Sequence, residues 1–600
     1  MILASLSTSK CYPVHGRKCP YSHHLGSLAD GRSMRTGLIR SRNFVMAAWA
    51  TAALWSASSA EASSDLNLRL RRVVQNSPIS INNVTWCILD SNGAPLSEHN
   101  ASRPMKPAST MKLLTTAAAF EHLPAFYRTK LWAHESEAGT VLRWVGAGDP
   151  MMGDPGPLND NRVPGTLLGQ LATEIRRSGV TEVIRLEYDD SYFQSPRYHP
   201  NWDSEQFSKS YRCESSALNF AGNLVRLELH PRSIKPRLEL FPSEASEIIV
   251  LQDKFTDLRT TREKDLVGFD RHRGRNEFRA WGVCRNQHVL ESPVHDPSRW
   301  AAELLATRLR MEGIVVLQVT PAQSIDNPPQ GNPIPTATIN TPLFRVAQHC
   351  NTNSRNLYAE CLLKSVDRQL GGDGTWLASG PDNRTAGERL FHALSTLFPE
   401  AMGSGDVIDD GSGLSHENRL SARTLARILC QAQSREWYPE WLQTLAVGRK
   451  SGTLANRFRS KAFGHCVVRG KSGYIDGVST LAGRVDQDDD QHLFFAIMVK
   501  DVKSSRDAKK LHESILAEAI QVLPRASESN ASTNIGQSHT WPTQSALSKA
   551  PPTRPTPKAL PHPNGEQLRT DTNPMPSGSE GKMILTGTAV ALIVLGIRLR

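Results

Sequence analysis

The strongest constraint on the fold is a change of pattern along the chain. Near its start, VTWCILD from Val84 runs into an Asn92-Gly93 pair, the signature of a hairpin. Far downstream, LAGRV and HLFFAIMVKD have the composition of buried strands. Helical periodicity surrounds 111–123, 357–370 and 506–523. The middle differs from both ends: VRLELH from Val225 alternates apolar and polar residues, and GVTEVIRLEYDD, LELFP and EIIVLQ add further β-like runs. These patterns predict an α/β (α+β) domain assembled from 63–127 plus 340–524, with a β-rich insertion over 128–339 and no internal repeat.

Outside that span the chain reads differently. Arginines, an apolar run and Ala60-Glu61-Ala62 follow Met34 in the order of a secretory signal, so 1–62 is expected to be an over-long N-terminus plus an export segment. From 525 to 581 the chain is rich in Pro, Ser and Thr without apolar periodicity, the composition of a disordered linker. It leads to KMILTGTAVALIVLGIRLR. The uncharged stretch from Met583 to Ile597 would span about 22 Å as a helix, and flanking Lys582, Arg598 and Arg600 could snorkel, so 582–600 is expected to anchor the chain in a membrane. The net charge of +11 is accompanied by no nucleic-acid motif and predicts no nucleic-acid partner. Export removes Cys11 and Cys19; the seven remaining cysteines lack C-x-x-C spacing, and Cys213 with Cys284 could form a disulfide.

Three short motifs carry polar groups that a core does not need. PASTMKLLTTAAAFEHL places Ser109 and Lys112 three residues apart at the head of an apolar helix, on one face. A hydroxyl beside an amine is a nucleophile with its own base. NTNSRNLYAECLL supplies Ser354 and Asn356 at a helix start, and VVRGKSGYIDG supplies Lys471, Ser472 and Gly473 before a strand. Glycine there lets a substrate backbone lie close. S-x-x-K also occurs at Ser7 and Lys10 in the export segment, and K-S-G at Lys450-Ser451-Gly452, where no strand pattern follows. Ser412 in DGSGLS is flanked directly by glycines, unlike a nucleophile elbow, and reads as part of a tight loop shaping the cleft.

S-x-x-K, S-x-N and K-[ST]-G in this order are the active-site set of penicillin-binding proteins and serine β-lactamases. RPMKPASTMKLLTTAAA, DDSYFQSPRYHPNW, SALNFAGN, SRNLYAECLL and DGSGLS further resemble the D-alanyl-D-alanine carboxypeptidase/endopeptidase family, peptidase family S13, of the penicillin-binding protein 4 type (low-molecular-mass class C). The resemblance spans about 81–499, and that family carries a large insertion between its first two motifs. It implies a serine hydrolase of peptidoglycan stem peptides in the periplasm or cell envelope, covalently inhibited by β-lactams and needing no metal or organic cofactor.

It also implies roles. Ser109 attacks the carbonyl between two D-alanines, and neutral Lys112 takes its proton, with burial and the Lys471 cation suppressing the charge on Lys112. Ser354 relays a proton to the leaving amine, Asn356 binds the substrate amide, and Lys471 with Ser472 binds the terminal carboxylate. Backbone N–H groups of Ser109 and Tyr474 form the oxyanion hole. Asp149 in GAGDP matches a family position near the substrate's side-chain amine and equally reads as a turn aspartate. Two rivals stand beside this reading. One is a β-lactamase, for which ESSALN from Glu214 has one residue too many between Glu214 and Leu218; the other is a silent wall-binding scaffold.

Overall fold

A computed structural model of the chain describes residues 65–523 apart from 252–257, 262–263, 324–333 and 488–490. The expected export segment, linker and C-terminal anchor all lie outside the described residues. Among the described residues no helix is long and apolar enough to cross a membrane.

Six antiparallel strands from the two ends of the chain form one sheet: β1 (Val84–Leu89), β2 (Pro95–His99), β3 (Ala446–Val447), β4 (Val467–Ile475), β5 (Val478–Asp486) and β6 (His492–Val499). Their order is β3-β4-β5-β6-β1-β2, so β1 and β6 pair across the longest separation in sequence. The β1–β2 hairpin closes where the sequence places it. Gly93 has φ 87°, which its lack of a Cβ permits, and Asp90 Oδ1 accepts from the N–H groups of Asn92 and Ala94.

The unbroken apolar run of β6 follows from burial on both faces. Phe494, Ala496 and Met498 face one core, while Leu493, Phe495, Ile497 and Val499 face another. The first core includes α1 (Met111–His122), α2 (Leu343–Thr352), α3 (Asn356–Gln369) and α4 (Ala422–Gln431), together with helices Ala386–Leu397 and Tyr438–Gln443. The second is covered by α5 (Ser505–Ala519) through Leu511, Ile515, Leu516 and Ala519. Every residue of α1 from Met111 to Phe120 is buried, so this helix runs through the interior between sheet and helices.

The intervening stretch forms sheets of five, four and three strands. The five-stranded one runs 315–321, 182–189, 139–145, 126–136, 334–342 and belongs to a separate apolar cluster. Two features differ from the sequence expectation. Helices Val163–Arg177 and Pro297–Met311 pack into this region, and the i, i+3, i+4, i+7 spacing of Leu168, Leu171, Ala172 and Ile175 is the signal that identifies the first. EIIVLQ yields only the short strand Val250–Leu251, because the N–H groups of Ile248 and Ile249 turn back onto the Ala245 carbonyl.

The described cysteines, Cys87, Cys213, Cys284, Cys350, Cys361, Cys430 and Cys466, are buried and unpaired. The pairing open to Cys213 and Cys284 is not formed: Cys213 Sγ points to the carbonyls of Ser210 and Gly222, and Cys284 Sγ to that of Asn286.

Candidate active site

Ser109 sits in a single 3-10 turn, 108–110, that feeds directly into α1. The turn is held from three sides. Thr110 Oγ1 and Thr480 Oγ1 both donate to the Pro107 carbonyl, at 2.6 and 2.8 Å. Gly413 lies so near that a Cβ there would meet the Ala108 carbonyl at 1.8 Å. The third support is β4, whose Gly473 approaches the Ser109 N–H. Ala108 itself has φ 47°, an unusual conformation for alanine that this surrounding packing maintains.

One helical turn on, the Lys112 side chain is fully buried. Its Nζ lies 3.0 Å from Ser109 Oγ, 2.7 Å from Asn356 Oδ1 and 2.8 Å from the Ser412 carbonyl. The last two partners can only accept. A neutral amine has two N–H donors and one lone pair, so it satisfies both acceptors and leaves the lone pair facing the Ser109 hydroxyl. Burial lowers the pKa of Lys112, against the opposing pull of Cys350, Asp410 and Glu360.

Ser354 precedes α3 with φ 61°, and its Oγ accepts from Lys471 Nζ at 2.9 Å. Lys471 also donates to the Ser472 carbonyl at 2.7 Å and is fully buried. Burial pushes its pKa well down, and repulsion from Lys112 adds to this. Burial is the first cause at both amines.

Along β4 successive peptide groups point to opposite sides. The Val468 carbonyl accepts from Gly448 N–H beside β3, so the peptide groups of Ser472 and Tyr474 point the same way, past the two residues of β3 that pair with β4. The Tyr474 N–H is therefore directed to the Ser109 side of the strand edge, and its side chain is exposed. Ser472 Oγ donates to Thr453 Oγ1 at 2.8 Å, which places the second K-S-G, Lys450-Ser451-Gly452, immediately beside the first. Asn356 spends one amide hydrogen on the Tyr211 carbonyl at 2.9 Å and keeps the other.

The structure thus brings Ser109, Lys112, Ser354, Asn356, Lys471, Ser472, Gly473 and Tyr474 to one cleft. Asp149 is not bonded to any of them. It is buried, accepts from Met151 N–H at 2.8 Å and Thr341 Oγ1 at 2.5 Å, and is pushed up to about 6 by burial. Its contacts within the chain are those of a turn aspartate. Glu214 faces His295 at 2.8 Å and Arg271 at 3.7 Å, so it serves no deacylation role beside Ser109. Sequence reasoning passed over Thr453 and the Ser412 carbonyl; a backbone acceptor has no side-chain signature to read.

The chain is 29% identical over 415 residues to the D-alanyl-D-alanine carboxypeptidase of Actinomadura sp. (strain R39), covering 66% of this chain and 73% of that protein. It is 26% identical over 406 residues to a carboxypeptidase of Mycobacterium tuberculosis, covering 66% and 71%. Its structure is similar to that of penicillin-binding protein 4 (dacB) from Haemophilus influenzae, with TM-score 0.58 at 19% identity, over 75% of this chain and 99% of that one. This likeness establishes an α+β fold of the transpeptidase type. Residues 66–520 match the D-Ala-D-Ala carboxypeptidase 3 (S13) family, and the chain belongs to that family.

Proposed function

We propose that this protein is a serine D-alanyl-D-alanine carboxypeptidase and endopeptidase of peptidoglycan stem peptides, acting through an acyl-Ser109 intermediate. The observation that carries the reading is the surrounding of Lys112 Nζ: Asn356 Oδ1 and the Ser412 carbonyl can only accept, so in the neutral amine they take both N–H bonds and leave the lone pair for the Ser109 hydroxyl at 3.0 Å. As Oγ attacks the scissile carbonyl, Lys112 receives its proton, and the negative charge on the carbonyl oxygen is met by the N–H groups of Ser109 and Tyr474. The substrate's terminal carboxylate binds at Lys471 and Ser472, and its negative charge favours the protonated form of Lys471. Ser354, oriented by Lys471 Nζ at 2.9 Å, relays the proton taken up by Lys112 to the departing amine, which leaves Lys112 neutral again for the attack of water. Water releases the acyl group. The second amide hydrogen of Asn356 orients the substrate's penultimate carbonyl.

A β-lactam carries the same carboxylate next to a strained amide and would acylate the same oxygen. The parts of the chain outside the described residues fit an exported enzyme of the cell envelope, with 582–600 as its tether. The catalytic unit is formed by 63–127 plus 340–524, and 128–339 is its insertion.

The test is labelling by a fluorescent penicillin together with D-alanine release from a pentapeptide. The parent takes up one label per chain and releases D-alanine, and Ser109→Ala does neither. A label that persists in Ser109→Ala refutes the assignment. Turnover of nitrocefin at a rate far above D-alanine release would move the protein to the β-lactamases.

A further inference from the structure

Behind the Ser109–Lys112 pair lies an acidic residue that the reaction just described does not use. Glu360 stands four residues after Asn356 on α3, on the same face, and its side chain is fully buried. Its carboxylate does not touch Lys112. Oε1 accepts from Ser412 N–H at 2.8 Å, and Oε2 accepts from Gly411 N–H at 3.1 Å and from Trp376 Nε1 at 2.9 Å. Both oxygens therefore hold the turn whose next carbonyl, that of Ser412, receives Lys112 Nζ at 2.8 Å. Thr115 Oγ1, from the helix that carries Lys112, donates to the Gly411 carbonyl at 2.7 Å and clamps the other side.

Resting on the acyl-serine reading, we infer that Glu360 is a positioning residue for the base: it grips the 411–412 backbone so that the Ser412 carbonyl meets Lys112, and sets its own charge behind that amine. Removing the grip would free a turn built on glycines, and Lys112 would lose one of the two acceptors that steer its lone pair onto Ser109. Removing the charge would act separately, lowering the Lys112 pKa further, because an anion nearby favours the ammonium. Burial and the Asp410 carboxylate push Glu360 up to about 7, so this charge is present through the alkaline half of the working range. Other groups facing the pair are His199 on the Glu360 side and Lys471 and Cys350 on the Lys112 side, with Cys361 and Lys364 on α3 itself.

The experiment is the rate of acylation by a fluorescent penicillin as a function of pH, with thermal unfolding measured alongside. Glutamine at 360 has one acceptor oxygen, so either the Ser412 N–H or the Gly411 and Trp376 N–H groups lose their partner. In Glu360→Gln the acidic limb of the rate profile is expected to move to lower pH by about one unit, and the plateau to fall about tenfold. Trp376→Phe leaves both grips on the turn but removes one hydrogen bond to the carboxylate. It is expected to move the limb the same way by less, with a plateau near the parent's. A glutamate that merely supported the fold would lower the unfolding temperature and leave the limb in place. Coincidence of the limb with the parent's in every variant that folds overturns the inference. The parent and Ser109→Ala in the same assay keep the two claims apart: if the parent labels and Ser109→Ala does not, an unmoved limb removes only the role of Glu360.

Discussion

Gly473 offers the sharpest test of how tightly the strand edge is set against the nucleophile. A Cβ at this position would meet Thr480 Oγ1 at 2.3 Å, Ser109 N at 2.8 Å and Ala108 Cβ at 3.0 Å. Ordinary contacts begin near 3.4 Å, so Gly473→Ala demands about 1 Å of retreat from Thr480 and about half that from Ser109. Thr480 cannot simply rotate away, because its Oγ1 holds the Pro107 carbonyl at 2.8 Å and thereby the turn that carries Ser109. The displacement therefore falls on the gap between that turn and β4, across which the two oxyanion donors face each other. A misplacement of about 1 Å costs on the order of 10²-fold in rate, and overpacking a tight site costs about 1–3 kcal/mol in stability. The expected result is a folded Gly473→Ala protein, with a modestly lowered unfolding temperature, whose acylation by penicillin is about 10²-fold slower. Stopped-flow labelling and differential scanning calorimetry measure the two quantities. Acylation within about threefold of the parent would refute the reasoning, since it would show that the turn and strand have room to part without consequence.

Two further expectations concern other buried groups. Lys364 is buried with Nζ 3.8 Å from the centre of the Trp376 ring, and burial lowers its pKa to about 8. Between that value and the 10.5 of a free lysine the unfolded chain binds more protons, so parent stability should rise relative to Lys364→Met from pH 8 to 10, and a constant difference in unfolding temperature would refute this. The buried, unpaired cysteines should resist alkylation, since burial pushes the thiols of Cys213 and Cys350 up to about 12; peptide mapping after iodoacetamide at neutral pH should find them unmodified in the native protein and fully modified in denaturant, and rapid native modification would count against their burial.

Local rules made part of the site legible. The helical repeat alone puts Ser109 and Lys112 on one face, and the 3.0 Å contact follows from that spacing. The same holds for the β1–β2 hairpin, whose Asn-Gly turn is a two-residue signal, and for β6, whose unbroken apolar run indicates burial on both faces. Legibility failed where a group acts through its backbone or where burial, rather than sequence spacing, sets a charge. The Ser412 carbonyl is one instance, and the burial of Lys471, which pushes its pKa well down, is another. EIIVLQ failed for a related reason: its apolar residues suit a strand, but a turn captures its first N–H groups.

The amino-acid order by itself determined which chemical groups this protein owns and the short-range geometry of each motif, because covalent spacing fixes neighbours within a turn or a hairpin. Only the tertiary structure decided that Ser354 meets Lys471, that Asn356 and Ser412 accept from Lys112, and that Asp149 is held by Thr341. Those contacts join residues a hundred or more positions apart, and what holds them is the packing of α1 and α3 against the sheet, a collective balance of burial that no local pattern encodes.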